Sequence, residues 1–491
     1  MNISEVLGRI QVREIDGSLT RIANGVTYDS RKVQPGNMFF AIKGEHSDGH
    51  NFIADAVKNG ASCVIYEDDV NIEPYSGKDV LFVRVEDVRL ALGYISANYY
   101  GDPSTNLNLT GITGTNGKTS TAYILKSILE ANAKDVGLIG TVAYTIKDRI
   151  YTAGHTTPES PEFQMYLSEM SKAGCSHVVT EVSSHALSQC RVDGAEFDRV
   201  VFTNLTRDHL DYHKDMEDYF NAKMRLFTEL LKPNGTAIIN TDDSYGRRLF
   251  TQHTGQILTY GFNADADVRA TDINLSMSGL EFTVSSDGKY YKTASNLRGL
   301  INVYNILAAF STALSLGIPF NDILAGIYNL KIVTGRFEPI EEGQDFSVIV
   351  DYAHTDDALK NLLENVRKMV HGKIITVFGC GGNRDKGKRP IMGAVATSLS
   401  DFAIITSDNP RFEDPLDIIN QIEKGAGQAY SVEPDRAKAI REAIYMASDG
   451  DAVIIAGKGH ESYQEIKGVQ HPFSDKETAI KILKKLLKEK D

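Results

Sequence analysis

The chain has 491 residues, 42% of them hydrophobic, and an excess of acidic side chains that gives a net charge of −13. This length predicts roughly three domains, and the composition is that of a globular protein rather than a disordered or fibrous one. An acidic chain is not expected to bind nucleic acid in general, although a local cationic pocket for an anionic substrate is compatible with it.

The N-terminal sequence and the cysteines both bear on the cellular compartment. The N-terminal segment carries charges throughout and lacks the apolar core of a signal peptide, and no apolar run reaches transmembrane length. The four cysteines, at positions 63, 175, 190 and 380, are scattered without C-x-x-C spacing. They are expected to be reduced, buried thiols. We therefore expect a cytoplasmic protein that does not associate with membranes.

Residues 1–98 mix short strands and helices. The segment VTYDSRKVQPGNMFFAIKG predicts a strand, a turn at Pro35-Gly36 and a second strand. The amphipathic helix VRLALGYISANYY then ends at Gly101-Asp102-Pro103, where a new pattern begins. This change predicts the first domain boundary.

A glycine-rich stretch opens the segment 99–332. It reads N-L-N-L-T-G-I-T-G-T-N-G-K-T-S-T-A from Asn106 to Ala122, which predicts a short strand, a loop and a helix. Gly114 and Gly117 permit tight turns, and Lys118 begins the helix, so backbone donors and an ammonium converge on an anion. The strict P-loop pattern fails because Ile112 stands where its first glycine belongs, so the shorter core G-T-N-G-K-T carries the prediction.

The rest of this segment predicts a parallel sheet. GCSHVVTEVSS, FDRVVFTNLT and GTAIINTDD are apolar, β-branched runs bounded by polar turns. GLEFTVSSDGKYYKT predicts a hairpin turning at Asp287-Gly288, peripheral to the main sheet. Because ligands of such sheets lie beyond the carboxyl ends of the strands, the polar residues there are candidates for function.

Several of these polar residues could carry chemistry. Glu181 follows an apolar strand and suits Mg²⁺, or it is an ion-paired strand-end glutamate. N-L-T-R-D-H-L-D-Y-H, which contains His209, is rich in metal and proton-transfer groups but lacks zinc spacing. H-T-T-P-E from His155 could form a substrate contact or a helix cap. Lys223 lies in a predicted helix, where a surface lysine is the alternative.

From 333 onward four apolar strands run into polar or glycine-rich loops, which predicts a second doubly wound unit. The near match to G-x-G-x-x-G fails because Arg384 replaces the third glycine, so dinucleotide binding is not expected. Arg384 and Arg411 offer planar forks suited to carboxylates. The basic tail predicts an amphipathic helix that closes the surface of this unit, with a membrane or partner role as the alternative.

The motifs together resemble the Mur ligases, over nearly the whole chain. The fragments that carry the resemblance, in chain order, are D-S-R, G-T-N-G-K-T-S, H-T-T-P, E-V-S-S-H-A-L, N-L-T-R-D-H-L-D-Y-H, A-K-M-R, N-V-Y-N, G-R-F-E, D-Y-A-H-T, G-C-G-G-N-R-D-K-G-K-R-P, D-N-P-R and G-K-G-H-E. The resemblance is to the members that add the third amino acid to UDP-N-acetylmuramoyl-L-alanyl-D-glutamate in peptidoglycan synthesis. It implies an α/β fold of three domains: a UDP-substrate-binding domain at 1–98, a central P-loop ATPase-type parallel sheet at 99–332, and a Rossmann-like domain at 333–491 that binds the incoming amino acid.

The resemblance also implies roles for individual positions. ATP would contact Gly114, Thr115, Asn116, Gly117, Lys118, Thr119, Ser120, Asn305, Arg336 and Asp351. The UDP-muramoyl dipeptide would contact Tyr28, Ser30, Glu45, His46, Ser47, His155, Thr156, Thr157, Ser183, Gln189 and Arg191. Some relatives have Asn in place of His155. Mg²⁺ would be held by Thr119, Glu181, His209 and Lys223, the last as an N-carboxylated lysine. The incoming amino acid would contact Arg384, Asp408, Asn409, Pro410, Arg411, Gly457 and Glu461.

The implied reaction is amide formation through an acyl phosphate, with Lys118, Lys223 and Arg336 as catalytic residues and His354 assisting proton transfer. Arg411 would bind the distal carboxylate of meso-diaminopimelate, which L-lysine lacks, and a charged hydrogen bond of this kind contributes roughly 1.5–3 kcal/mol. Lysine-adding relatives lack this arginine, so diaminopimelate is expected. The expected protein is a monomer.

Three alternatives remain at this stage. They are a lysine-adding ligase, a folylpolyglutamate synthase with the same P-loop and amide chemistry, and a catalytically silent nucleotide-binding regulator on the same fold. The N-terminal domain and D-N-P-R argue against the second, and the intact set of charged residues at the implied site argues against the third.

Overall fold

The computed structural model describes residues 2–44, 47–75 and 79–490, and this part of the chain forms three large β-sheets flanked by helices. The first sheet has the order β1-β5-β4-β3-β2, parallel except for β1. The predicted strands around Pro35-Gly36 are confirmed as β2 and β3. The elements are α1 (Ile3–Val6), β1 (Val12–Asp16), β2 (Gly25–Thr27), β3 (Asn37–Phe40), α2 (Ile53–Lys58), β4 (Cys63–Tyr66), β5 (Leu81–Val85) and α3 (Val88–Tyr99).

The second sheet has eleven strands in the order β16-β15-β14-β13-β12-β11-β6-β10-β7-β8-β9. Its elements are β6 (Asn108–Thr113), α4 (Lys118–Ala131), β7 (Val136–Ile139), β8 (Ala143–Ile146), β9 (Arg149–Thr152), α5 (Ser160–Lys172), β10 (His177–Glu181), α6 (Ser184–Ser188), β11 (Phe197–Phe202), α7 (Met216–Thr228), β12 (Leu231–Asn240), α8 (Ser244–Gln252), β13 (Gln256–Gly261), β14 (Val268–Ser276), β15 (Gly279–Ser286), β16 (Lys289–Ser295), α9 (Leu300–Ser315) and α10 (Phe320–Asn329).

The glycine-rich stretch lies at the centre of this sheet. Strand β6 pairs in parallel with β10 on one side and β11 on the other. Thr113, Glu181 and Phe202 therefore end three neighbouring strands at the same edge. The predicted strand, loop and helix are confirmed, and helix α4 packs against α9 and α10 behind the loop.

The predicted hairpin forms, but it is not a separate peripheral element. Strands β15 and β16 pair with each other and, through β14, continue the main sheet to its edge. Asp287 and Gly288 both have positive φ, as the two-residue turn requires. The hairpin stays attached because the inward-facing side chains Leu280, Phe282 and Val284 are buried in the same core as helix α9.

The third sheet has the order β17-β18-β22-β19-β20-β21, parallel except for β17, as predicted for a doubly wound unit. A small hairpin, β23 with β24, follows it. The elements are β17 (Glu338–Pro339), β18 (Ser347–Asp351), α11 (Asp356–Met369), β19 (Ile374–Phe378), α12 (Lys388–Leu399), β20 (Phe402–Ile405), α13 (Pro415–Glu423), β21 (Tyr430–Val432), α14 (Arg436–Met446), β22 (Ala452–Ala456), β23 (Tyr463–Ile466), β24 (Val469–Pro472) and α15 (Asp475–Lys490).

The tail is the predicted amphipathic helix. Its residues Ala479 and Leu483 are fully buried against α14 and the third sheet. No helix in the described ranges has the length and apolarity needed to cross a bilayer. All of the cysteines are buried and free, as expected.

A buried ion pair joins the start of the tail helix to the third sheet. The guanidinium of Arg436 donates to both carboxylate oxygens of Asp475 at 2.7 Å and to the Ala456 carbonyl at 2.9 Å. Both charged side chains have no exposed surface. Removing one partner of such a pair leaves the other charge buried and unpaired, which costs far more than the intact pair contributes.

We expect Asp475→Asn to lower the free energy of unfolding of the C-terminal unit by about 3–5 kcal/mol, because Arg436 stays charged and buried. Urea unfolding followed by circular dichroism measures this loss. Glu364→Gln is the matched control, since the Lys360–Glu364 pair is exposed at 3.9 Å, and its effect should stay below about 0.5 kcal/mol. Equal effects of the two substitutions would contradict the assignment of Asp475 as a partner that Arg436 requires.

Candidate active site

The loop between β6 and α4 is held open by two glycines. Gly114 has φ +147° and a Cβ there would lie 1.9 Å from the Thr203 hydroxyl. Gly117 has φ +88° and a Cβ would lie 2.4 Å from the Asn305 amide oxygen. Only glycine fits both positions, so the backbone N–H groups at the start of α4 remain accessible to an anion. Lys118 Nζ donates to the carbonyls of Gly114 and Thr115 at 2.9 and 3.0 Å.

Glu181, at the end of β10, is buried beside this loop. Its carboxylate accepts hydrogen bonds from the Thr119 hydroxyl at 2.9 Å and from the Thr141 backbone N–H and hydroxyl at 2.8 and 2.9 Å. In the described part of the chain it has no ion-pair partner, so the alternative of an ion-paired strand-end glutamate is wrong. A buried carboxylate with only neutral donors presents its negative charge to the adjoining space.

Lys223 is buried, so the alternative of a surface lysine is also wrong. Its Nζ donates to the Gly114 carbonyl at 3.1 Å and lies 4.6 Å from the centre of the Tyr219 ring. Burial, reinforced by the positive charge of Lys118, lowers the pKa of Lys223 well below its ordinary value. The amine therefore has a strong tendency to be neutral, which is the nucleophilic form of a lysine.

A second group of titratable residues follows β11 and faces the C-terminal unit. The carboxylate of Asp208 lies 3.4 Å from His209 Nε2 and 4.0 Å from both His354 Nε2 and Lys388 Nζ. Burial alone would raise the pKa of Asp208, but these positively charged or polar neighbours hold that pKa below its usual range. Burial lowers the pKa of His354 to about 4, so its ring is neutral near pH 7. Its Nδ1 contacts the Tyr352 carbonyl at 2.9 Å, which leaves Nε2 as the proton acceptor.

Arg336 reaches from the start of the C-terminal unit to the loop. Its Nη2 donates to the Thr119 hydroxyl at 3.2 Å, and its guanidinium lies 4.3 Å from the centre of the Tyr352 ring. Asp351, at the end of β18, accepts from the backbone N–H groups of Phe337 and Ala353 at 2.6 and 2.7 Å. Asp351 thus fixes the turn that carries Arg336.

A further contact ties the two units together at the loop itself. The Asn116 amide donates to Asp357, in the first turn of α11, at 3.0 Å, and the Thr206 hydroxyl donates to the same oxygen at 3.3 Å. Arg207 and Asp385 form an ion pair at 3.3 Å nearby. The central and C-terminal units are therefore docked across the glycine-rich loop.

The H-T-T-P segment lies against the end of β10 rather than capping α5. The Thr157 hydroxyl donates to the Glu181 carbonyl at 2.8 Å, and the Thr156 hydroxyl lies 3.1 Å from that of Thr141. Glu159 is the residue before α5 and makes no side-chain cap, so the alternative of a helix cap is wrong. Arg191 donates to the Thr157 carbonyl at 3.1 Å and to Gln189 at 2.7 Å.

The residues after the strands of the third sheet also converge. The Asn409 amide donates to Glu461 at 2.8 Å and accepts from Lys458 Nζ at 2.9 Å. Arg411 has φ +52° and its Nη1 donates to the Gly382 carbonyl at 2.8 Å. The segment Asp408–Arg411 is thus fixed to the loops after β19 and β22.

One cavity of about 460 Å³ brings most of these residues together. Of the positions expected from the sequence, those that line it are Thr115, Asn116, Gly117, Lys118, Thr119, Ser120, His155, Thr156, Thr157, Glu181, Ser183, Arg191, His209, Asn305, Arg336, Asp351, His354, Arg384, Asp408, Asn409, Arg411, Gly457 and Glu461. Gly114, Gln189, Lys223 and Pro410 are adjacent in sequence or by contact to lining residues but do not line the cavity.

The expected nucleotide-sugar positions of the N-terminal unit are not part of this cavity. Tyr28 contacts Glu162 of α5 at 3.4 Å, and Ser30 begins a short 3-10 helix. Ser47 accepts from the Gly44 N–H at 2.8 Å through its carbonyl. Glu45 and His46 lie outside the described residues. The cavity itself is built by the central and C-terminal units.

Lining residues to which the sequence analysis gave no individual role include Thr141, His185, Asp208, Asp211 and Lys388. Lys388 is the buried lysine of the quoted motif G-C-G-G-N-R-D-K-G-K-R-P, so that motif was a usable signal. Asp208 lies in the quoted N-L-T-R-D-H segment. Thr141 had no signal, because its role depends on a contact with Glu181 across the sheet.

Comparison with known proteins agrees with this geometry. Three family models match successive parts of the chain: "Mur ligase family, catalytic domain" at 23–100, "Mur ligase middle domain" at 112–313 and "Mur ligase, glutamate ligase domain" at 335–459. A protein from Solibacter usitatus, named UDP-N-acetylmuramoyl-L-alanyl-D-glutamate--2,6-diaminopimelate ligase, is 46% identical over 99% of this chain and 98% of its own. A protein of the same name from Clostridioides difficile is 43% identical over 99% of this chain and all of its own length.

A solved structure of a ligase with that name is 32% identical, with a TM-score of 0.70 over 99% of both chains. A folylpolyglutamate synthase from Mycobacterium tuberculosis is 16% identical with a TM-score of 0.62 over 75% of this chain and 92% of its own, and this likeness concerns the fold alone. Given near-full-length identity above 40% to curated relatives and matching models along the chain, the chain belongs to the Mur ligase family.

Proposed function

We propose that the chain is an ATP-dependent ligase that joins 2,6-diaminopimelate, in its meso form, to UDP-N-acetylmuramoyl-L-alanyl-D-glutamate. The observation that carries this proposal is that one cavity is lined both by the phosphate-type loop and by Asn409 and Arg411. The names of the full-length relatives support the same reaction. Peptidoglycan synthesis is the process in which that product is used.

The loop end suits the phosphates of ATP. The backbone N–H groups in the first turn of α4 and the ammonium of Lys118 form an anion site at a helix start, and residues 114–120 are the positions expected to contact ATP. Arg336, in contact with Thr119, brings a second fixed positive charge to the same point. These groups would stabilise the charge that moves during phosphoryl transfer. Asn305 and Asp351 lie on the two sides of the cavity and would bound the nucleotide.

The residues beside the loop fit Mg²⁺. The buried Glu181 carboxylate and the Thr119 hydroxyl offer oxygen ligands, which Mg²⁺ prefers, and Glu181 has no cationic partner in the described ranges. Neutral His209 would be a further ligand, since burial lowers its pKa. Bound Mg²⁺ would neutralise phosphate oxygens.

Lys223 is suited to N-carboxylation. A neutral amine can attack the carbon of CO₂ and release a proton to water, which forms a carbamate and replaces an uncharged amine with an anion. The lowered pKa of Lys223 favours the reactive amine, and its position 3.1 Å from the Gly114 carbonyl is beside the phosphate loop. As a carbamate it would offer an oxygen ligand to metal and orient Lys118.

The reaction then has two steps. A γ-carboxylate oxygen of D-Glu attacks the γ-phosphorus of ATP, the bond to ADP breaks, and an acyl phosphate forms. The diaminopimelate amine attacks the acyl carbon, the bond to phosphate breaks through a tetrahedral intermediate, and an amide forms. Neutral His354, whose Nε2 is unprotonated and lies 4.0 Å from the Asp208 carboxylate, would accept the amine proton. The docked C-terminal unit would exclude water that hydrolyses acyl phosphates.

The dipeptide would lie along His155, Thr156, Thr157, Ser183, Gln189 and Arg191. The nucleotide sugar would extend to Tyr28, Ser30, Glu45, His46 and Ser47. The boundaries 1–98, 99–332 and 333–491 are proposed as the corresponding domains. The incoming amino acid would be bound by residues of the C-terminal unit: Arg384, Asp408, Asn409, Pro410, Arg411, Gly457 and Glu461. Because ATP and nucleotide-linked sugars are cytoplasmic compounds, we propose a cytoplasmic enzyme, active as a monomer.

The curated relatives are named for diaminopimelate, which supports this amino acid over L-lysine. The density of charged groups around the loop argues against a silent regulator, since binding alone would not require Lys223 and Arg336 together. The coverage of the N-terminal unit by a Mur ligase model argues against folylpolyglutamate synthesis.

We expect phosphate release from ATP, Mg²⁺ and the UDP-muramoyl dipeptide when diaminopimelate is added, and none when L-lysine is added in parallel. Arg411→Ala should raise the KM for diaminopimelate about tenfold or more, because a charged hydrogen bond to the distal carboxylate is lost. Phe412→Ala, at the exposed neighbour, is the control and should leave KM unchanged. Phosphate release with L-lysine alone would support the ligase activity but contradict the proposed selectivity for diaminopimelate.

Lys223→Arg should lower kcat by a factor of about 100 or more, because a guanidinium stays protonated and cannot be carboxylated. Steady-state phosphate release measures the loss, and mass spectrometry of the native protein checks for the carbamate. Lys126→Arg, in α4, outside the lining of the cavity and paired with Glu130, is the matched control. Full activity of Lys223→Arg would exclude a carboxylated lysine from the reaction.

A further inference from the structure

The hairpin β23–β24 has a specific relation to the segment Asp408–Arg411. The Arg411 N–H donates to the Glu465 carbonyl at 3.0 Å, and the Lys467 N–H donates to the Arg411 carbonyl at 2.6 Å. The Gln464 side chain donates to the Asp408 carbonyl at 2.8 Å, and the Glu465 N–H donates to Asn409 at 3.0 Å. Strand β23 and the turn after it therefore make hydrogen bonds to Asp408, Asn409 and Arg411, and we call this set of bonds the clamp.

The clamp holds Arg411 in an unusual backbone conformation. Its φ of +52° is in the left-handed region, which is unfavourable for a residue with a Cβ and is kept where neighbouring contacts offset the cost. The two backbone bonds to Glu465 and Lys467 impose it here. This conformation turns the Arg411 side chain back toward Gly382 and the cavity.

One nitrogen of the Arg411 guanidinium is held by a hydrogen bond and a second by an ion-pair contact. Nε lies 3.3 Å from a carboxylate oxygen of Glu465, and Nη1 donates to the Gly382 carbonyl at 2.8 Å. In the described part of the chain Nη2 makes no hydrogen bond. Because the guanidinium is planar, two fixed contacts set the plane and direction of the third nitrogen.

We propose that Glu465 is a positioning residue for amino-acid selection: it orients the Arg411 guanidinium so that Nη2 is directed at the distal carboxylate of the incoming amino acid. This assignment rests on the proposed function and names how the same site would discriminate. Glu465 itself touches no reacting atom. Its effect passes through Arg411 alone.

The negative charge of Glu465 also weakens the attraction of Arg411 for an anionic substrate. This opposing effect is small because both side chains are partly exposed, at 21% and 24%, and water screens them. The orienting effect of Glu465 is the larger one, because a guanidinium that rotates freely loses directional hydrogen bonding to the substrate carboxylate. The sign of the change in KM on removing Glu465 therefore separates the two effects.

The test is steady-state kinetics on the full-length enzyme. We expect Glu465→Ala to raise the KM for diaminopimelate by about fivefold to tenfold while kcat and the KM values for ATP and the UDP-muramoyl dipeptide stay within about twofold. Glu465→Gln keeps a polar oxygen beside Nε and removes only the charge, so it should raise KM less. Gln470→Ala, directly across the hairpin from Glu465, is the matched control and should leave KM unchanged.

A double-mutant cycle distinguishes positioning from a general structural effect. In the Arg411→Ala background, Glu465→Ala should have no further effect on the KM for diaminopimelate, because the group it orients is gone. An unchanged or lower KM in Glu465→Ala, or an equal increase in both backgrounds, overturns the assignment. Absence of diaminopimelate-dependent phosphate release from the unaltered enzyme refutes the proposed function itself and so is a distinct outcome.

Discussion

The close approach of Gly114 to Thr203 is the constraint on which the active site depends. Strands β6 and β11 are neighbours, and the loops that follow them touch where no Cβ can fit. The contact is reinforced because the Thr203 hydroxyl donates to the Asn116 carbonyl at 2.6 Å and the Thr115 N–H donates to the Asn204 carbonyl at 2.9 Å. The phosphate loop is thus held by the loop after β11, and that second loop continues directly to Asp208 and His209. A change in either loop shifts both the anion site and the residues that face the C-terminal unit.

The positive charge of the basic side chains in this site is limited by lowered pKa values as well as by ion pairing. Two lysines, Lys118 and Lys223, share the Gly114 carbonyl, and burial lowers the pKa of both. Burial likewise lowers the pKa of His185 and His354 to about 4. The cavity thus combines guanidinium groups, such as those of Arg336, Arg384 and Arg411, with buried histidines that are neutral. Neutral nitrogens are available as ligands and proton acceptors, and a neutral lysine is available for modification.

The sequence was informative where local chemistry determines structure. The helix start at Lys118, the carboxyl end of β10 at Glu181 and the turn at Asp287-Gly288 follow from short-range patterns, and the structure confirms them. The burial of Lys223 had no local signal, because the groups that surround its amine come from a strand and loop about a hundred residues earlier. The hairpin β15–β16 joins the main sheet through core packing with α9, which alternation within the hairpin cannot reveal. The family resemblance supplied candidate site residues that lie far apart in sequence and that local patterns could not connect.

The contact between Asn116 and Asp357 has a thermodynamic consequence. It joins the loop proposed for ATP to the helix that follows β18 in the unit proposed for the amino acid. Any ligand that binds the docked arrangement more tightly than a separated one shifts the population toward docking, and reciprocity requires that each such ligand raise the affinity for the other by the same factor. Cooperativity between nucleotide and amino acid can therefore arise in a single chain without a second subunit. The hydrogen bond between the Asn116 side chain and Asp357 is one contribution to the coupling free energy.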